Sequence, residues 1–162
     1  AIHQAVSPQD MERVRQLFRE YADWLEVDLC FQGFERELAT LPGDYAPPYG
    51  RLLLAYHHEK PVGCVALRRI DATTGEIKRL YVRPEQRGRR TGRRLVEQVI
   101  AAAREVGYRR LVLDTLPQMA EAGELYRSFG FREIPAYYAN PLPGVVYFAL
   151  DLGPDLDFEP AA

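Results

Sequence analysis

Apolar and polar positions follow two different periods along the chain, and the changes of period predict its elements. "AIHQAV" alternates loosely, as a short first strand would. Ser7, Pro8 and Asp10 then mark a helix start: a capping side chain, a proline at the first helical position and an acid in the first turn. Val14, Leu17, Phe18, Tyr21 and Leu25 follow at helical spacing. Phe31, Phe34 and Leu38 share one face of a shorter second helix, which Pro42-Gly43 ends. "GDYAPPYG" reads as a loop rich in proline and tyrosine. From Arg51 the period shortens. "RLLLAYH" and "PVGCVALRRI" are strand-length apolar runs joined by a turn at His57-His58-Glu59-Lys60, and "EIKRLYV" is another strand. The helical period returns with Leu95, Val96, Val99, Ile100 and Ala103, and Gly107 stands where the helix should end. "RRLVLDT" is a strand and "QMAEAGELYRSFG" a helix, with "FREI" and "GVVYFALDL" the last strands. This order predicts one α/β domain over residues 1–152 and an acidic tail over 153–162.

Composition narrows the class. The chain has 162 residues, 47% of them apolar and 27% charged, as expected for one globular domain. No apolar run approaches the roughly 18 residues of a membrane span, and the first residues lack the pattern of a secretory signal. Two cysteines, Cys30 and Cys64, are too few for a disulfide framework. The expected setting is the reduced cytoplasm, with no membrane partner.

One segment departs from its surroundings. A chain of formal net charge −2 places Arg83, Arg87, Arg89, Arg90, Arg93 and Arg94 between a strand and a helix. Such a cluster suits an anion. The P-loop pattern is excluded because Gly88 and Gly92 stand one residue too close and no Lys-Ser/Thr follows. The dinucleotide pattern G-x-G-x-x-G is absent as well. What remains is a loop entering a helix at Thr91-Gly92, where unpaired backbone N–H groups and partial positive charge bind pyrophosphate. Arg87, Arg89 and the backbone of 88–92 are the expected contacts. Arg83 reads as structural, and Arg93 and Arg94 stay open between phosphate and solvent. Nucleic acid is disfavoured, since no basic stripe continues elsewhere and no aromatic residues interleave with the arginines.

"YVRPEQRGRRTGRRLVEQ" resembles the acyl-CoA loop of the GNAT N-acetyltransferase superfamily, with Arg87 first, Arg90 in the middle and Gly92 last of the pattern R/Q-x-x-G-x-G/A. "EAGELYRSFGF" resembles that family's second signature through Ala122, Leu125, Tyr126, Gly130 and Phe131. "FQGFERELATLPGDYAPPYGRLLLA" and "PAYYANPLPG" look like a bacterial branch without an assigned substrate. The resemblance implies a single-domain GNAT-like α/β fold, a mixed, mostly antiparallel sheet of about seven strands flanked by about four helices. It implies acetyl-CoA as acyl donor, held by Arg87, Gly88, Arg89, Arg90, Thr91 and Gly92 and by the strand through Leu80, Tyr81 and Val82. Two positions depart from the pattern: Arg90 stands where the family has Gly, and Met119 where it often has Asn. They motivate an alternative, a CoA-binding regulatory module with little or no turnover.

Acetyl transfer to an amine needs a base, a donor for the tetrahedral oxyanion and a proton for the leaving thiolate. The resemblance points to Glu76 as base, to a backbone N–H of Leu80 to Val82 as oxyanion donor, and to Tyr126 as the acid. Glu76 reads equally well as an exposed turn residue; for Tyr126, beside Leu125 and on the helix of Phe129, packing is the alternative and the acid role is preferred. His57 and His58 lack a third ligand, so no metal is expected. The acceptor is expected between the first two helices and the last strand pair, where Phe31, Gln32, Phe34, Tyr45, Tyr49, Tyr137, Tyr138 and Asn140 are available. Of these, Phe31, Gln32, Tyr45 and Tyr138 are the primary candidates. Acids in this half, among them Asp23, Glu35 and Asp44, would suit a cationic small-molecule or amino-acid-like amine, and the sequence is compatible with a homodimer.

Overall fold

The computed structural model of the chain describes residues 1–26, 29 and 33–153. Phe31, Gln32, Cys30 and the tail from residue 154 lie outside the described residues. The elements run β1 (Ile2–Gln4), α1 (Pro8–Leu25), α2 (Phe34–Ala39), β2 (Arg51–His57), β3 (Lys60–Arg69), β4 (Thr74–Val82), α3 (Thr91–Val106), β5 (Arg110–Thr115), α4 (Ala120–Ser128), β6 (Arg132–Ile134) and β7 (Val146–Asp151). The predicted start of α1 is present in full. Ser7 Oγ accepts from the Asp10 N–H at 3.0 Å, and the Asp10 carboxylate accepts from the Ser7 N–H at 3.4 Å, a reciprocal cap. The hairpin between β2 and β3 closes on His58 and Glu59, with φ of 50° and 67°, the left-handed pair that matches the twist of two-residue hairpins.

The strands form one sheet in the order β1-β2-β3-β4-β5-β7-β6. Neighbours are antiparallel except β4 and β5, which are parallel. Alternation along β2 sends Leu52 and Leu54 towards α1 and α2, and Leu53 and Ala55 towards α3. The sheet is thus covered on both faces. On the second, α3 buries Leu95, Val96, Val99, Ile100 and Ala103, each large aliphatic side chain contributing roughly 1.5–3 kcal/mol. Among the described residues no helix is long and apolar enough to cross a membrane.

Two irregularities open this sheet. Parallel pairing of β4 with β5 covers only Thr74–Glu76 against Arg110–Val112, although β4 continues to Val82 and β5 to Thr115. In the same stretch β4 bulges. Between the pairs Cys64–Tyr81 and Ala66–Lys78, β3 advances two residues (64 to 66) and β4 three (81 to 78). The extra residue is accommodated at Arg79, whose φ is 62°. Beyond Glu76, therefore, β4 turns away from β5.

Candidate active site

The opening between β4 and β5 is floored by the bulge and walled by the arginine loop. That loop leaves β4, makes a 3-10 turn at Pro84–Gln86 and enters α3 through Gly88 and Arg90, both left-handed with φ of 86° and 64°. Among the described residues no side chain caps the N-terminus of α3, and its first turn carries no acid. Its leading N–H groups and the positive end of its dipole thus meet an anion without competition from the protein. Arg87 is pre-positioned: its Nε donates to the Val82 carbonyl at 3.0 Å, and its guanidinium lies 4.9 Å from the Trp24 ring centroid. A cleft of about 490 Å³ runs from here between β4 and α4, lined among others by Leu80, Tyr81, Val82, Arg87, Arg90 and Gly92. Gly88 and Thr91 also line it, as does Arg93.

Arg89 is placed elsewhere. It faces the other side of the loop, with Nη1 3.5 Å from His57 Nε2, in a separate hollow shared with Arg94 and Glu97. The left-handed residues on either side of it, Gly88 and Arg90, turn the backbone and separate it from Arg87 and Arg90, and the sequence cluster cannot show that. Arg83 is structural, paired through two nitrogens with Glu20 at 2.7 and 2.9 Å.

A second, smaller cavity of about 30 Å³ lies on the far side of the bulge, room for about two water-sized groups. Leu80 and Met119 line both spaces, so the two meet at the bulge. The rest of the inner wall includes Tyr21, Leu25, Lys78, Asp114, Tyr126 and Asn140. The bulge is held from behind. The buried Arg79 guanidinium forms a two-point pair with Glu37 of α2 at 2.8 and 3.0 Å, and the Tyr45 hydroxyl donates to the same carboxylate at 3.1 Å. Tyr45 thus sits in the core beneath the site and lines neither cavity.

Two carboxylates stand at the inner end, each clamped by a neighbouring tyrosine of one loop. Glu76, on β4 and only 1% exposed, accepts from Arg68 Nε and the Tyr137 hydroxyl, both at 2.6 Å. It is a strand residue, not a turn residue. Burial alone would raise its pKa; the charges of Lys78 and Arg68 and the hydrogen bonds from Tyr137 and Arg68 outweigh burial and hold the carboxyl below its ordinary value. Asp114, at the end of β5, accepts from the Tyr138 hydroxyl and from Asn140 Nδ2 at 3.2 Å. Tyr137 and Tyr138 stack with centroids 5.3 Å apart, and the Tyr147 hydroxyl donates to the Tyr138 carbonyl at 2.9 Å, fixing the loop. Asp114 reaches the inner cavity, whereas Glu76 lines neither cavity.

Tyr126 lies at the inner wall, its ring 5.3 Å from that of Phe131. Burial raises its hydroxyl pKa, and the Tyr21 and Asp114 charges add to the effect, so it stays protonated at neutral pH. Lys78 is half-buried, and burial together with Arg79 and Arg68 outweighs Glu76 and Asp114 and brings its pKa down to about 8. Met119 is buried, and its thioether accepts from the Leu116 N–H at 3.4 Å. Asp114, Lys78 and Trp24 belong to none of the sequence motifs. Asp114 ends an apolar strand, and the carboxyl end of a parallel strand is where α/β sheets hold ligands; that was the available signal.

A loop that offers helix N–H groups and arginines beside a bulged, splayed strand makes an α/β fold with a cleft suited to a phosphate-bearing ligand. Residues 11–131 match the Acetyltransferase (GNAT) family, and the chain belongs to it. An "Uncharacterized N-acetyltransferase" of Schizosaccharomyces pombe is 42% identical over 147 residues, 90% of either chain, so the similarity is not confined to bacteria. Among solved structures, an acetyltransferase from Streptococcus agalactiae superposes with a TM-score of 0.78 at 25% identity, over 94% of this chain and 98% of that one. The PaiA N-acetyltransferase of Thermoplasma acidophilum, in complex with coenzyme A, shares the fold with a TM-score of 0.74 at 18% identity over 93% and 99% of the two chains. Among the described residues, the seven-stranded mixed sheet with four α-helices is the expected architecture.

Proposed function

We propose that this protein moves an acetyl group from acetyl-CoA directly to a primary amine of a small acceptor. The observation that carries the reading is the meeting of the two cavities at Leu80 and Met119. One cavity has the volume, arginines and helix terminus suited to a CoA pyrophosphate and pantetheine arm; the other is polar at its inner end. The neighbour from Thermoplasma acidophilum, which holds coenzyme A, supports the choice of donor. In this reading Arg87, Arg90 and the N–H groups of Thr91 and Gly92 hold the pyrophosphate, and Leu80 to Val82 run along the pantetheine. The thioester carbonyl meets the bulge, where backbone N–H groups left out of the ladder can donate to the oxyanion. The amine nitrogen bonds to the carbonyl carbon, the carbon–sulfur bond breaks, Tyr126 gives its proton to sulfur, and the proton that the nitrogen releases returns through water to the Tyr126 oxygen. Glu76, with both oxygens engaged, serves as a positioning residue that fixes Tyr137.

Arg90 bears on the alternative of a CoA-binding module without turnover. Its φ of 64° is the conformation a glycine would take, so the substitution leaves the loop's path intact. Thermal unfolding with acetyl-CoA, against sulfate, tests the donor site. Ligand at about 100 times its dissociation constant stabilises by roughly 2.7 kcal/mol, several degrees for a domain of this size. Thiol release with an amine panel then tests transfer, and Tyr126→Phe should slow release while keeping the thermal shift. No shift with acetyl-CoA beyond that with sulfate would remove the donor site. A shift without release for any amine would favour the binding module.

A further inference from the structure

An alkylamine reaches a protein mostly as its ammonium, which cannot attack a thioester until it has lost a proton. Tyr126 serves the sulfur. Glu76, the base expected from the sequence, has both oxygens engaged and lines neither cavity. A different carboxylate has the place and the geometry to take that proton.

Asp114 stands two residues beyond Val112, the last residue of β5 to pair with β4, so it lies where the strands part. It is half-buried and lines the inner cavity. Its anchors fall on one oxygen: Oδ2 accepts from the Tyr138 hydroxyl and from Asn140 Nδ2 at 3.2 Å. Asn140 is fixed in turn, its Oδ1 accepting from the Leu142 N–H at 2.9 Å. Among the described residues nothing donates to Oδ1 of Asp114. One oxygen thus holds the carboxylate in place and the other is open.

The cavity in front of it is of water size. About 30 Å³ is too small for an acceptor molecule, but it holds about two waters. Asp114 and Tyr126 face this space together, in a wall otherwise carrying Leu25, Leu29, Leu116 and Leu142. At Leu80 and Met119 the space meets the donor cleft, where the thioester and the attacking nitrogen come together. The surrounding groups are occupied. Arg79 pairs with Glu37, Glu76 with Arg68, and Lys78 has an interaction of its own within the protein. Burial raises the hydroxyl pKa of Tyr21, Tyr126, Tyr137 and Tyr138, so these keep their protons.

We propose that the inner cavity holds a short water relay and that Asp114 is the proton acceptor at its end. This rests on the acetyl-transfer reading and supplies its base. The ammonium gives one proton to the nearest water, the relay delivers one to Oδ1 of Asp114, and the neutral amine attacks the thioester carbonyl. Tyr126 protonates the departing sulfur, and the second nitrogen proton returns through the same water to the Tyr126 oxygen. Asp114 then passes its proton to solvent. Each turnover yields the amide, CoA as its thiol and one released proton.

The test uses acceptors of nearly one shape and falling basicity: ethylamine and its 2-fluoro, 2,2-difluoro and 2,2,2-trifluoro derivatives. The last is mostly neutral near pH 7 and needs no base. Thiol release gives kcat/KM for wild type, Asp114→Asn, Tyr138→Phe and Lys78→Met, and the acetyl-CoA thermal shift reports an intact donor site. Asp114→Asn should slow ethylamine about a hundredfold, and the loss should shrink along the series to within about threefold for the trifluoro amine. Tyr138→Phe keeps the carboxylate but removes one anchor, so it should show the same trend at smaller size. It carries the test if Asp114→Asn loses the acetyl-CoA shift. Lys78→Met should show no such trend. An equal loss for all four amines would mean that Asp114 only holds the loop of Tyr138, and would overturn the relay while the transferase reading stands. So would a trend confined to Lys78→Met, or an Asp114→Asn variant that acetylates ethylamine as wild type does. Absence of turnover with every amine would take down both.

Discussion

Between Arg87 and Gly92 the wall of the donor cleft is one short run of chain, and much of what it offers is backbone. On the other side of Leu80 the inner cavity draws on α1, β4, β5, α4 and the loop through Asn140, and it offers side chains: Lys78, Asp114, Tyr126. The donor cleft faces solvent, and Arg87 is held there by a backbone carbonyl and the Trp24 ring and not by a buried carboxylate. The inner cavity is held by charges taken out of water, Arg79 on Glu37 of a helix far off in sequence and Glu76 on Arg68 of the neighbouring strand. The difference teaches where each half is vulnerable. Backbone sites tolerate side-chain change; buried-charge scaffolds do not.

The sharpest way to break this contrast is Glu37→Gln. Arg79 keeps a side-chain exposure of only 2% and would lose its counter-charge, which typically costs about 3–5 kcal/mol. Chemical denaturation should show a correspondingly lower midpoint. A loss under about 1 kcal/mol would mean that the Tyr21 and Phe34 rings beside the guanidinium carry the bulge without the ion pair.

Glu76→Gln sharpens the contrast through pH. The folded-state pKa of Glu76 lies below its ordinary value of 4.5, so its contribution is present above about pH 4.5 and lost as pH falls through the folded value. At pH 7 the variant should be less stable by about 2 kcal/mol, the size of a hydrogen bond to a charged group. Below pH 4.5 the difference should shrink steadily. Asp10, also held below its ordinary pKa, titrates in both proteins and cancels from the comparison. A gap that stays constant from pH 7 to pH 3 would show that Glu76 acts by shape and not by charge.

The same contrast explains what the sequence displayed. Ser7, Pro8 and Asp10, the stripe from Leu95 to Ala103 and the run from Arg87 to Gly92 are local patterns, and the elements they predict are present. The bulge at Arg79 is a mismatch between two strands, and neither strand alone displays it. Tyr45 is an acceptor candidate by its place in the chain near the first two helices, but its hydroxyl is drawn inward by Glu37, whose carboxylate also pairs with Arg79. Asp114 was hidden by its surroundings: one carboxylate at the end of "LVLD" reads as the edge of a core strand until Tyr138 and Asn140 are brought to it across the sheet. Arg89 shows the limit even of local reading, since adjacent residues of a tight loop face opposite ways.

The smallest expected effect falls on the donor side, at Arg90. A non-glycine residue in the left-handed region costs about 1 kcal/mol or more relative to glycine, and Arg90, with φ of 64°, bears that cost at the start of α3. Arg90→Gly and Arg90→Ala both remove the guanidinium, but only glycine relieves the backbone. If the cleft depends on loop path, Arg90→Gly should be about 1 kcal/mol more stable than Arg90→Ala, and both should keep acetyl-CoA binding within severalfold of wild type. The two measurements are thermal unfolding without ligand and the shift on adding acetyl-CoA. If both variants instead lose the acetyl-CoA shift together, the Arg90 side chain holds phosphate itself. The donor cleft would then depend on a single charged group as closely as the inner cavity does, and the contrast between the two halves would close.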